Sequence, residues 1–332
     1  MRYSRFRWLT AALVSGGCLA TMSMEALAQA YPTRPVRLVV AYAAGGPSDL
    51  LGRTVAQKLT EILPQPVVVE NRSGAGGQIG VDSVAKAAPD GYTLLLGDIT
   101  AFAVNPNFYK SLPYDSRKDF TPIGPIASGV ILLFASASLP AQNIKELIAL
   151  AKSKPGALSF GSAGNGQFPT HLGLELFKAT YGLDILHVPY KGAAPAMADL
   201  AAGRISLAMT AGLGLAKPFI DSGKVRALAI TGDRRAAAAP DIPTFAEAGA
   251  PLPEINAGTW FGMMAPAGLP RNIVVRLNES LTQAMAAADV RTRLAALNME
   301  PMTSTPEAFA DFIKAGIETW ARVLKRANIA PQ

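Results

Sequence analysis

The sequence predicts an α/β fold of alternating strands and helices, and three observations predict it. Short β-branched apolar runs recur along the chain, among them residues 36–42, 66–70, 92–96, 185–190 and 225–231. Between them lie stretches whose apolar residues fall at helical spacing, such as Leu50, Leu51, Val55 and Leu59. Many of the joints are rich in glycine, the residue that a tight strand-to-helix turn favours. Alternation of this kind implies parallel strands with helices on both faces. In such sheets ligands lie beyond the carboxyl ends of the strands.

The first unit is the run Arg37-Leu-Val-Val-Ala-Tyr-Ala-Ala-Gly-Gly-Pro-Ser-Asp-Leu-Leu-Gly-Arg53, read as strand, glycine loop and helix. The first backbone N–H groups of that helix have no partner within it, and the helix dipole places partial positive charge there. Glycines let a guest come close, so an anion, either a carboxylate or a phosphate, is the expected ligand. Nucleotide loops fit poorly. Five residues separate Gly46 from Gly52 where a P-loop has four, and Arg53 stands where lysine is needed. Neither these glycines nor Gly74, Gly76, Gly77 and Gly80 reproduce the dinucleotide fingerprint.

A strand at 66–70, the loop Asn71-Arg-Ser-Gly-Ala-Gly-Gly77 and a helix at 78–87 repeat the logic, and the turn Ala88-Pro-Asp-Gly91 leads into a third strand at 92–96 with its loop at 97–105. Residues 113–125 are rich in proline and charge, and the apolar run 126–134 reads as one long strand crossing to a second lobe. The rhythm then restarts with a helix at 142–152, a short strand at 158–161 and the small-residue loop Ser162-Ala-Gly-Asn-Gly-Gln-Phe-Pro-Thr170. A helix at 171–181 follows, then strands at 185–190, 205–210 and 225–231 with helices near 194–202 and 215–222.

Near residues 256–266 the chain is expected to cross back, because the remainder is helical, at 271–287 and 290–297. The last helix is marked by Thr305 as N-cap and Pro306 at its first position, with Phe309, Phe312, Ile313, Ile317, Trp320 and Leu324 on one stripe. It is expected to pack on the first lobe; a partner-binding face is the alternative. The expected division is a signal peptide at 1–28, a first lobe of 31–125 with 260–332, and a second lobe of 126–259.

Arg2, Arg5 and Arg7 precede an apolar stretch at 8–22, and Ala26-Leu-Ala28 and Ala28-Gln-Ala30 supply the small-x-small pattern of signal-peptide cleavage. A periplasmic product cleaved near Ala28 or Ala30 is expected. Ser15-Gly16-Gly17 interrupts the stretch, which is too short for a spanning helix. The single cysteine, Cys18, falls in this leader, so disulfide and thiol chemistry are excluded from the mature chain. Ser15 stands where lipid attachment at Cys18 would want leucine, which disfavours a lipoprotein. The formal net charge of +7 favours anionic partners mildly. Lysines and arginines are scattered and not interleaved with aromatics, so no nucleic-acid face is expected.

Enzyme chemistry finds few residues. Phe160-Gly-Ser-Ala-Gly164 lacks the leading glycine of a nucleophile elbow, which makes Ser162 a poor nucleophile. The only imidazoles are His171, read as a helix-opening residue facing solvent, and His187, read as structural beside Val188-Pro189. No Cys/His metal spacing occurs. The expectation is therefore no catalytic residue, no metal and no cofactor, with an exported hydrolase as the weaker rival. One helix end offers an anion only about 0.3 to 2 kcal/mol, whereas micromolar binding needs about 8 kcal/mol. Two loops from two lobes must therefore close on one ligand.

A pattern runs through essentially the whole mature chain: Tyr31-Pro-Thr-Arg-Pro-Val-Arg-Leu-Val-Val, Ala43-Ala-Gly-Gly-Pro-Ser-Asp49, Val69-Glu-Asn-Arg-Ser-Gly-Ala-Gly-Gly77, Ala88-Pro-Asp-Gly-Tyr-Thr-Leu-Leu95, Val104-Asn-Pro106, Gly161-Ser-Ala-Gly-Asn-Gly166, His171-Leu, His187-Val-Pro-Tyr-Lys-Gly192 and Asp199-Leu-Ala-Ala-Gly203. In order and spacing it resembles the Bug family, the extracytoplasmic substrate receptors of tripartite tricarboxylate transporters. The resemblance implies a type II periplasmic-binding-protein fold, two α/β lobes joined by crossing strands, with no enzymatic activity. It implies small organic acids as ligands and membrane permease subunits as partners, and a monomer is expected. By that similarity the ligand lies between Tyr42, Ala44, Gly45, Gly46, Ser48 and Asp49 on one side and Ser162, Ala163, Asn165 and Gly166 on the other, with Thr100, Phe102 and Thr210 as further candidates.

Some positions depart from the family pattern. Ser206 and Thr210 stand where the family often has aspartate, and Phe102 where it often has histidine. Fewer acids near the cleft weaken an amino-acid ligand and leave Asp49 either to meet an ammonium or to complement its own helix dipole. Phe102 hints at an aromatic acid or is simply a buried loop residue. A sensory receptor docking on a membrane kinase needs the same cleft and stays open as an alternative.

Overall fold

The computed structural model describes residues 31–163 and 166–332. The predicted leader, Gly164 and Asn165 lie outside the described residues.

The chain opens with strand β1 (Val36–Val40), helix α1 (Pro47–Ile62), β2 (Val67–Asn71), α2 (Gln78–Ala85) and β3 (Thr93–Asp98). Strand alternation explains how both faces of this sheet are covered. Val36, Leu38 and Val40 pack with Leu51, Val55 and Leu59 of α1, whereas Val39 joins Val81 and Val84 of α2. A π-helical turn (Thr100–Val104) and a short helix α3 (Asn105–Phe108) follow, then β4 (Phe120–Gly129) and β5 (Ile131–Ser136).

The second half builds α4 (Ile144–Ser153), β6 (Leu158–Ala163), α5 (Pro169–Tyr181), β7 (Ile185–Tyr190), α6 (Ala193–Ala201), β8 (Leu207–Ala211), α7 (Lys217–Asp221) and β9 (Val225–Ile230). The chain then returns through β10 (Thr259–Pro266), α8 (Arg271–Ala286), α9 (Ala288–Ala296), β11 (Met299–Pro301) and α10 (Pro306–Arg326). One sheet has the order β11-β4-β10-β3-β1-β2 and the other β7-β6-β8-β5-β9.

The sheets are mixed, not purely parallel as the alternation implied. β1 runs parallel to β2 and β3, but β10 runs antiparallel to β3 and β4. In the other sheet β6 is parallel to β7 and β8, and β5 is antiparallel to β8 and β9. β5 and β10 are the strands that enter from the other sheet. They arrive without a helical crossover, so nothing turns them into the parallel direction.

The run 126–134 is two strands broken at Val130, one in each sheet, and not a single crossing strand. β4 begins inside the Pro-rich stretch, with Pro122 opposite Met264 and Pro125 opposite Gly262 where the pairing register shifts. Proline lacks the N–H that a regular ladder needs, so it is accommodated at irregularities. The two crossings touch: Gly258, at φ +60°, leaves no room for a side chain against the Gly129 carbonyl.

Helix α10 is capped as its sequence requires, with Thr305 Oγ1 accepting from Ala308 N at 3.2 Å. Its stripe buries Phe309, Ile313, Ile317, Trp320 and Leu324, and Phe309 meets Trp260 of β10 edge-on at 5.7 Å. It also touches α5, and Arg326 pairs with Glu254 at 2.6 Å. The helix therefore joins the layers of both sheets and does not pack on the first alone.

Candidate functional site

The carboxyl ends of β1, β2 and β3 lie at one edge of their sheet, and the loop after β2 meets the loop after β6 where Gly76 lies against Gln167. α1, α2 and α5 start at this edge on Gly46, Gly77 and Phe168, and none of the three has a side-chain cap. Their first-turn N–H groups are thus left without a side-chain acceptor. Of the other helices, α4 is capped by Asn143 accepting from Glu146 N at 3.0 Å and α10 by Thr305, whereas α6, α7, α8 and α9 also lack a side-chain cap.

Gly45 takes φ +83°, a turn conformation that favours glycine, and places Gly46 and Pro47 at the start of α1. Asp49 closes that turn from inside. It is 2% exposed, and its carboxylate accepts from Gly45 N at 2.9 Å, Arg53 Nε at 3.0 Å and Asn71 Nδ2 at 2.9 Å. The Arg53 hydrogen bond, helped by the Gly45 amide, holds its carboxyl down at about 2. Its charge is met within the loop, so the arrangement matches the helix-start reading of Asp49 better than a role toward an ammonium. Ala44, Gly45, Gly46 and Ser48 remain on the outer side of this staple.

Tyr42 donates its hydroxyl to Asp98 Oδ2 at 2.6 Å, and its ring lies against Gly77. Asp98 Oδ1 accepts from Ala101 N at 2.9 Å, which anchors the π-helical turn carrying Thr100. Burial pushes the Asp98 carboxyl above its ordinary range, and burial followed by the Asp98 charge pushes the Tyr42 phenol well above 10. The sequence analysis does not single out Asp98; an acid closing an otherwise apolar strand is the signal that could have found it.

Phe102 is 1% exposed, stacks edge-on against Phe120 at 4.9 Å and shares a groove with Ile313 and Ile317 of α10. It is a core residue, as its buried reading had it. Thr210, at the end of β8, is buried and donates to Gly212 O at 3.1 Å.

On the opposite side Ser162 and Ala163 end β6, paired with Pro189 and Tyr190 of β7. Ser162 Oγ lies 3.0 Å from His171 Nδ1 and 2.7 Å from His187 Nε2. The chain's two histidines, separated in sequence, are therefore neighbours with ring centroids 4.4 Å apart. His171 is 9% exposed and does not face solvent as the sequence suggested. Desolvation, then the neighbouring His187, lowers its pKa to about 4, and desolvation lowers that of His187.

The two glycine loops meet. Gln167 is 3% exposed and its Nε2 stands where a side chain on Gly76 would begin. Its Oε1 is buried with no donor among the described residues. Gly166, at φ +94°, sits between His171 and Phe108, bordering a cavity of about 440 Å³ that His187, Glu175 and Gln332 also line. Gln167 and Phe108 escaped the sequence reading because neither carries a motif.

A larger cavity of about 580 Å³ lies beside the crossings, lined by Gly129, Val130, Arg234, Asn256, Asn298 and Glu300. None of the uncapped helix starts opens into it, and Arg234 is already paired with Glu300 at 2.9 Å. Chemistry therefore favours the glycine loops over volume. Among the described residues no group of three or more His, Cys, Asp or Glu could hold a metal ion, and no helix is long and apolar enough to cross a membrane.

Comparison with known proteins places the chain in a family. The family described as "Tripartite tricarboxylate transporter family receptor" matches residues 51–329. Protein BugT of Bordetella pertussis is 38% identical over 318 residues, 95% of this chain and 96% of its own length. A solved Rhodopseudomonas palustris protein with adipate is 37% identical with a TM-score of 0.79, covering 91% of this chain and 100% of the other. MatC of the same organism, solved with bound malate, is 31% identical with a TM-score of 0.74, covering 89% and 100%. The two solved proteins share its fold, and the chain belongs to the tripartite tricarboxylate transporter family of receptors.

Proposed function

We propose that this protein captures a small organic carboxylate in the periplasm, between two α/β lobes, and hands it unaltered to the permease subunits of a tripartite transporter. The lobes are residues 31–125 with 260–332, and residues 126–259; the leader at 1–28 directs export. The observation that carries the reading is the meeting of two glycine loops, at Gly76 and Gln167, among helix starts without side-chain caps. Amides aimed from both sides supply charge-assisted hydrogen bonds of roughly 1.5 to 3 kcal/mol each, enough in combination for micromolar capture. Two relatives of this fold, solved with adipate and with malate, hold guests of this class.

Capture without chemistry suits the residues. A serine nucleophile needs a competent base, and His171 at about 4 is a weak one. Neither histidine has a carboxylate hydrogen-bonded to its other ring nitrogen among the described residues, so the orienting member of a triad is missing there.

The test is thermal shift across di- and tricarboxylates, hydroxy acids and aromatic acids, with nucleotides and peptides as controls. An acid at about 100 times its dissociation constant adds roughly 2.7 kcal/mol. Stabilisation by nucleotides or peptides with silence across the acids overturns the reading.

A further inference from the structure

The Ser162 hydroxyl has one proton and two acceptor sites, and two imidazole nitrogens already lie within hydrogen-bond reach of it. If both inner nitrogens carried lone pairs, one would face Oγ with no proton between them. If one carries N–H, it donates to Oγ while the hydroxyl proton goes to the other ring. If both carry N–H, Oγ accepts twice and its own proton is free for a third group. An anion in front of Ser162 selects this last state, because it draws the hydroxyl proton outward and leaves each ring to donate from behind.

We propose that His171 and His187 are positioning residues that turn the Ser162 hydroxyl toward an anionic guest by both donating N–H to its oxygen. The proposal rests on the carboxylate reading above and adds how one of its polar contacts is set. Packing makes the pair rigid enough for the task. Phe160 stacks on His187 at a centroid distance of 4.8 Å and borders His171 at 5.8 Å, while Lys178 Nζ lies 5.2 Å from the Phe160 centroid.

The proton arrangement has a consequence for pH. The charged groups facing the pair are Lys178 and Glu175 of α5, themselves paired at 3.0 Å. The pair's other cavity neighbours include Phe108 of α3 and, from the segment after α10, Ile329 and Gln332, whose main-chain oxygen accepts from Lys110 N. An imidazolium carries N–H on both nitrogens, so protonation enforces the donating state. Desolvation holds both imidazoles below their ordinary range, His171 at about 4, so acidification below about pH 6 is what strengthens capture of an acid that stays ionised.

The mature chain has only these two imidazoles, so their nitrogen resonances are assignable with His171→Asn and His187→Gln. The measurement is imidazole ¹⁵N NMR of the labelled protein alone and with adipate, malate, citrate or benzoate. Without ligand at least one inner nitrogen is expected to carry a proton; lone pairs on both overturn the proposal. With an acid that shifts backbone amides at 44–49, His171 Nδ1 and His187 Nε2 should both be protonated. A persistent inner lone pair in that sample overturns the proposal and leaves the carboxylate reading standing. No amide shift with any acid overturns the carboxylate reading and this proposal with it. In parallel, His171→Asn and His187→Gln, which keep an inner N–H, should bind within about threefold of the parent, whereas His171→Leu and His187→Met lose about tenfold or more. Equal losses in both pairs reduce the histidines to packing.

Discussion

Replacing Asp49 with asparagine tests whether this carboxylate builds the first anion loop from inside. Its pKa falls from an ordinary 3.8 to about 2. A carboxyl depressed on folding contributes stability that is fully present above its unfolded pKa and is lost as pH falls through its folded one. At 1.36 kcal/mol per unit, the ion is worth about 2 kcal/mol at pH 7 and about 1 kcal/mol at pH 3. Asparagine keeps one acceptor but sets an N–H₂ against Gly45 N and Arg53 or against Asn71, each already a donor. Urea unfolding at both pH values is the assay. The parent should exceed Asp49→Asn by about 2 kcal/mol at pH 7 and by roughly half that at pH 3. In a chain of this size the neutral-pH difference is about 3 °C in melting temperature. Equal stability at pH 7, or a gap that does not shrink at pH 3, refutes the reasoning.

Phe102→Ala should cost about 3 to 5 kcal/mol through the cavity left beside Phe120, without reordering the preferences among acids; a switched preference would return Phe102 to the cleft. Gly76→Ala sets a methyl against the amide end of Gln167 and should weaken capture of the best acid about tenfold with only about 1 kcal/mol of destabilisation, read by calorimetry and melting. Unchanged affinity would mean that the loops do not close on the guest together. Thr305→Ala removes the cap of α10 and should cost about 1 kcal/mol by denaturant titration, leaving capture unchanged.

The elements were legible where local physics decides them. β1 and α1 follow from a β-branched run, a glycine turn and an apolar stripe, and α10 from its cap and its phenylalanines. Sheet direction was not, because the antiparallel placement of β5 and β10 depends on two crossings between sheets and not on any local pattern. β4 hid behind Pro122 and Pro125, and β11 is a three-residue edge strand with no signature. At the site, the glycine loops were readable from composition and family resemblance. The partners that define their chemistry were not: Asp98 under Tyr42, His187 beside Ser162 and Gln167 against Gly76 are contacts between segments distant in sequence or loops without motif. Asp49 was placed correctly at the helix start, but only the donors around it separate a loop staple from a ligand contact.

The central claim is that main-chain amides from both lobes grip one carboxylate guest. A crystal structure with the most stabilising acid tests it most directly. The account predicts carboxylate oxygens within about 3 Å of backbone nitrogens in residues 46–49 and in residues 166–170, with Ser162 Oγ turned toward the same guest. An acid held by one side alone, or seated beside Arg234 in the cavity near the crossings, would contradict it.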